Sequence, residues 1–172
     1  MLKRAFLLTA LVPGTALAAP GAGLPPASPD DIAAAVGDCW KAVGPSTVDR
    51  AQLEVLDWKA GTPAARNGSP VVGAPTLYGK AGSNVIIMLG NKPEARAICT
   101  VMGAVKSQQE IGKAAGSVRR ALLALDPRVK TSLVESGIAY LSLPRIAMLE
   151  PTGTKGKPAT RISVAYQASE SK

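Results

Sequence analysis

The stretch Thr76-Leu-Tyr-Gly-Lys-Ala-Gly-Ser-Asn-Val-Ile-Ile-Met-Leu-Gly-Asn-Lys-Pro-Glu-Ala-Arg-Ala-Ile-Cys-Thr-Val-Met102 decides the fold. Three apolar runs stand in it: Thr76–Gly79, Val85–Leu89 and Ala97–Met102. Turn formers separate them, Ala81-Gly82-Ser83-Asn84 in the first gap and Gly90 to Glu94 in the second. Gaps this short exclude crossover connections, so the runs read as neighbouring antiparallel strands of a meander. Val85–Leu89 is apolar at every position, which predicts a central, covered strand.

Upstream, the chain is helical. Ser28 suits an N-cap, Pro29 the first helical position, and Asp30 and Asp31 complement the dipole of the first turn. Ile32, Val36, Cys39, Trp40 and Val43 follow at spacings of one apolar face, and Gly44-Pro45 ends the helix. Cys39 therefore points inward, and Trp40 is expected as a core anchor. Residues 46–57 read as a second, shorter helix capped by Ser46 or Thr47, with Trp58 beginning a short strand or a return to the core. Residues 61–75 read as a surface loop. Its Asn67-Gly68 is a turn, although Asn67-Gly68-Ser69 also matches a glycosylation sequon.

Downstream, Ser107-Gln-Gln-Glu110 has the form of a capping box. Ile111, Ala114, Ala115, Val118, Leu122 and Leu125 give the helix it opens an apolar stripe, and Asp126-Pro127 closes it. Gly112 and Gly116 in that helix suggest close packing against the sheet or a neighbour. Ile138–Leu141 is a short apolar run. Ile146–Leu149 and Arg161–Tyr166 are better strand candidates, the latter alternating polar and apolar. Glu150 to Thr160 between them reads as a mobile loop. No internal repeat is visible. The expected architecture is α+β, with two N-terminal helices and one long helix on a mostly antiparallel sheet of about five strands, in the order α-α-β-β-β-α-β-β.

The first residues read as an address. Lys3 and Arg4 precede an uncharged run from Ala5 to Leu17, and Ala16-Leu17-Ala18 supplies small residues before a cleavage site. The apolar run is shorter than the roughly 20 residues a membrane span needs. A secretory signal over residues 1–18 is therefore expected rather than an anchor. A flexible Pro/Gly/Ala-rich lead-in (residues 19–28), one α+β domain (29–167) and a frayed C-terminus (168–172) follow. The reading places the protein in the periplasm or outside the cell. Cys39 and Cys99 are the only cysteines. In an oxidising compartment they are expected to form one structural disulfide. Two buried thiols or an intermolecular bridge are the alternatives.

The chemistry is narrowed mainly by one absence. The chain of 172 residues contains no histidine, which removes Ser-His-Asp and Cys-His catalysis and histidine metal sites. The one Ser-x-x-Lys, Ser169 to Lys172, lies at the extreme C-terminus, and neither a nucleophile elbow nor a complete P-loop is present. Asp38, Asp49, Glu54, Asp57 and Glu94 are the acids that would have to converge for carboxylate catalysis. The formal charge is +8, but the basic residues are scattered and no aromatic side chains interleave with them, unlike a nucleic-acid groove. Lys155, Lys157 and Arg161, in the expected mobile loop, form the nearest thing to a site and suit an anionic partner. The overall expectation is a monomeric, non-catalytic binding or structural module. It has no cofactor, metal, nucleic acid or membrane span, and its partner is an envelope protein or an acidic envelope component. A small hydrolase-type envelope enzyme using carboxylate or lysine chemistry is the alternative.

Overall fold

A computed structural model of the chain describes residues 25–64, 68–90 and 97–167. The expected signal (1–18), the first part of the lead-in, Asn67, Glu94 and the C-terminal residues 168–172 lie outside the described residues. The chain is α+β. Among the described residues it has three helices and a sheet of eight strands, all paired antiparallel.

The first helix, α1 (Pro29–Ala42), starts as its sequence dictates: the Ser28 hydroxyl accepts from the Asp31 amide at 3.0 Å and Pro29 opens the first turn. The end of the lead-in, expected to be flexible, is tied down. Ala27 is buried, its amide donates to the Ala104 carbonyl, and the Asn84 side chain donates to the Pro26 carbonyl. α2 is shorter than expected, Arg50–Val55. Its cap is Asp49 rather than Ser46 or Thr47, with the carboxylate accepting from the Gln52 amide. α3 (Gln108–Leu125) begins without a side-chain cap from Ser107. Glu110 reaches back as a capping-box glutamate should, but it accepts from the Lys106 amide at 3.0 Å. The expected close packing at Gly112 and Gly116 is not found. A Cβ on Gly112 would meet nothing within 4 Å, and one on Gly116 only the Arg120 guanidinium.

The strands are β1 (Lys59–Gly61), β2 (Thr76–Gly79), β3 (Val85–Leu89), β4 (Ile98–Ala104), β5 (Lys130–Val134), β6 (Gly137–Ser142), β7 (Arg145–Thr154) and β8 (Lys157–Tyr166). They lie in the order β1-β2-β3-β4-β8-β7-β6-β5. The three strands beyond the expected five are β1, only three residues long, the short apolar β6, and β5. β5 is exposed at every position, so it carries no buried alternation to read. Glu150 to Thr160 is not a loop but the outer part of a hairpin. There β7 runs to Thr154, β8 starts at Lys157, and only Lys155-Gly156 turns, with Gly153 at φ +80° beside it. Glycine, proline and threonine there belong to a ladder rather than to open chain.

The topology also contains a repetition that the residues do not show. α1, then α2, precedes the meander β1–β4, and α3 precedes the meander β5–β8. The last strand of each meander pairs antiparallel with the other at the centre of the sheet, Cys99 opposite Val164 and Val101 opposite Ile162. α1 packs against α3 above this seam.

All three helices lie on one face. Cys39 and Cys99 form a disulfide with 5.6 Å between their Cα atoms, and both are fully buried. The Tyr140 hydroxyl donates to the Ala115 carbonyl of α3 at 2.9 Å. α2 sits beside Tyr78, where the Arg50 and Glu54 charges reach the phenol. Ile32 and Val36 of α1, Val118 and Leu122 of α3, and Ile162 and Val164 of β8 fill the layer between. Polar groups within it are matched. The Trp58 indole N–H donates to the buried Asp38 carboxylate at 3.0 Å. Arg120 donates to the Ser117 hydroxyl, which donates to Asp30, tying α3 to α1.

The disulfide closes a segment with a separation of 60 residues. In the chain-entropy description such a closure contributes about 4 kcal/mol. The double variant Cys39→Ser/Cys99→Ser is expected to melt roughly ten degrees lower, read by calorimetry, and the unreduced denatured protein to show no thiol to a labelling reagent. An unchanged midpoint would deny the bridge its structural role.

Candidate binding surface

Successive side chains of a strand point to opposite faces. Since Cys99, Val101 and Tyr140 face the helices, the residues between them face the other way. β3, expected to be covered, is covered on one side only: Val85, Ile87 and Leu89 are buried, whereas Ile86 and Met88 are partly exposed on the far face. β4 adds Ile98, Thr100, Met102 and Ala104 to that face, β8 adds Arg161, Ser163 and Ala165, and β7 adds Ile146, Met148 and Glu150.

The register arranges these side chains in rows across the sheet. One row reads Leu77, Met88, Thr100, Ser163, Met148, Ala139. A second reads Ile98, Ala165, Ile146, Leu141, and a third Ile86, Met102, Arg161, Glu150. The centre of the first row is small and polar. The Thr100 and Ser163 hydroxyls lie 3.5 Å apart, and Thr100 is only 7% exposed between the methionines. At a strand spacing of about 4.8 Å, Met88 and Met148 stand about 14 Å apart on either side of it. Apart from Met1, every methionine of the chain lies on this face. No described helix covers it.

The residues singled out from sequence are distributed differently. Lys155 and Lys157 are exposed at the tip of the β7–β8 hairpin. Arg161 is not in a loop with them but lies within β8, where it donates to Glu150, with its Nε and Nη2 at 3.0 and 2.9 Å from Oε2. Four residues of extended strand, about 13 Å, separate it from Lys157. The carboxylates considered for catalysis hold structural positions. Asp38 is held by Trp58 and by Lys41 at 3.7 Å, Asp49 caps α2, and Glu54 is exposed on α2. Asp57 turns the chain at φ 66°. Among the described residues no cluster of three or more Cys, Asp or Glu side chains is arranged to hold a metal ion, and no helix is long and apolar enough to cross a membrane.

Comparison of the chain with protein-family models, curated proteins and solved structures found no match. The reading of this face therefore rests on its own geometry.

Shifted titrations lie on the covered side. Burial raises the Tyr140 phenol from 10.0 to about 12, and burial raises Tyr78 as well. At the α3–β5 turn, hydrogen bonds from the Arg128 side chain, then from Ser142, hold the Asp126 carboxyl well below the usual carboxylate range. A phenol whose folded value is raised contributes its full stability below about pH 10 and loses it as the pH rises from about 10 towards 12. Tyr140→Phe is expected to lower stability by about 1 kcal/mol at neutral pH through the lost hydrogen bond. It should also flatten the alkaline loss seen in urea titrations between those values; an alkaline limb identical to that of the parent would refute the assignment.

Proposed function

We propose that this protein is a non-catalytic binding module of the bacterial cell envelope, exported by its N-terminal leader and using the face of its sheet that no described helix covers to hold a partner. The observation that carries the reading is that face. Aliphatic and methionine side chains from at least five neighbouring strands face away from the helices, where a polar, solvated surface would be usual for an antiparallel sheet covered on one side. Contiguous apolar surface rimmed by polar residues marks interaction sites. The Cys39–Cys99 disulfide supports the exported location, because such bonds persist in oxidising compartments.

The module would present a rigid sheet whose register is fixed from the other side by the disulfide and helices. The contact residues would sit on strands, not on a mobile loop. Lys155 and Lys157 would lie at one end of the surface as an accessory to it.

Site-specific photo-cross-linking in the producing cell tests this. A photoreactive residue replacing Met148 is expected to capture one dominant envelope component, while the same residue replacing Lys113, exposed on α3, does not. Purified from those cells, the protein should begin at Ala19. Identical products from both positions would remove the face from the proposal and return attention to the envelope-enzyme alternative.

A further inference from the structure

The charges around the open face are one-sided. Strand alternation places Lys59 of β1, Lys130 of β5, and Lys157 and Arg161 of β8 on it, against Glu150 as the single acid among the described strand residues, which Arg161 already binds. Lys59 and Lys130 stand on the two edge strands, beyond opposite ends of the apolar rows, and Lys157 stands at the hairpin end; all three are exposed. The apolar surface thus has a basic margin on three sides, with no ion pair to these lysines among the described residues.

Resting on the binding-module reading, we propose that the occupant of this face is an amphipathic α-helix of a partner protein, with acidic residues flanking its apolar stripe. Three features favour it. From β2 to β6 the central row crosses six strands, about 24 Å at the usual spacing, which is the length of a helix of about 16 residues. Lys59 and Lys130, just beyond the two ends of that row, meet carboxylates that flank the stripe near the ends of such a helix. Met88, Met102 and Met148 are long, unbranched side chains that repack around varied apolar stripes, the property exploited by surfaces that accept helices.

A lipid fits less well. Lys59 and Lys130 are seven strand spacings apart, about 34 Å, too far to serve one head group. Among the described residues of this face only Ile98 and Val134, at 39% and 40%, are exposed large apolar side chains, so little there stands proud enough to enter a bilayer.

The methionines supply the readout. The full chain, labelled with 13C-methyl methionine and assigned through Met→Leu variants, is titrated with a synthetic 16-residue helical peptide carrying a leucine stripe flanked by glutamates. Controls are the same stripe flanked by lysines, a scrambled acidic peptide, and phosphatidylglycerol vesicles. The acidic helix is expected to shift the Met88, Met102 and Met148 signals, with affinity falling as salt rises. Lys59→Glu/Lys130→Glu, two exposed changes that leave the parent methyl spectrum intact, should weaken it about tenfold.

Equal binding of the lysine-flanked helix, binding without movement of these methyl signals, or preferential binding to the vesicles would each overturn the proposal. If no peptide binds while Met148 still captures a specific partner in cells, the helix assignment falls and the face stands. If Met148 captures nothing specific, the face itself falls.

Discussion

Cys39 and Cys99 join the last turn of α1 to the middle strand pair of an eight-stranded sheet. That bond sets which side of the sheet is inside. Once Cys99 faces α1, alternation along β4 commits Val101 to the core and Thr100 and Met102 to the other face. The ladders to β3 and β8 carry the same commitment outward. A one-residue slip anywhere would bring Met88 or Met148 under the helices and expel Ile87 or Ala147. The disulfide, the Tyr140–Ala115 hydrogen bond and the α1–α3 contact all act on the same side. The opposite face is therefore defined without needing any contact of its own.

Local signals were legible where a segment's own residues decide its conformation. The Ser28 cap, the Pro29 start, the three strands between Thr76 and Ala104 and the inward Cys39 are of this kind. What escaped reading depends on partners distant in sequence. Lys130–Val134 is a strand because β6 lies beside it, not because its residues alternate. Glu150–Thr160 has the composition of a loop, yet its two arms extend each other and β8 also borders the end of β4. The Ser107 side-chain cap is missing because the Glu110 amide donates to the Ser107 carbonyl instead, while the Glu110 carboxylate takes the Lys106 amide. Gly112 and Gly116 look like a packing notch, but no neighbour comes close enough to use it.

The candidate face was present in the sequence in a form that single-segment reading does not recover. Val85–Leu89 is apolar throughout, which fits a strand covered on both sides as well as one whose second side awaits a partner. What separates the two cases is where the helices lie, and the three described helices all sit on one side. The charged residues misled in a similar way. Lys155, Lys157 and Arg161 are near in sequence, but strand geometry spreads them along the face, and Glu150 neutralises the one nearest its centre.

The repeated helix-and-meander topology has a consequence for how the molecule assembles. Neighbours in every ladder but one are also successive strands along the chain. The exception is the β4–β8 seam, which brings residues 98–104 against residues 159–165. Closing that seam carries the largest loop entropy of any ladder in the sheet. Each meander can gain most of its pairing locally, and the cross-link between residues 39 and 99 lies wholly within the first. Assembly then reduces to the meeting of two preformed halves along a seven-residue strand seam with the α1–α3 contact above it. Until they meet, each half has an open edge at its last strand, and that pair of edges is where a nascent chain would be most exposed to pairing with the wrong neighbour.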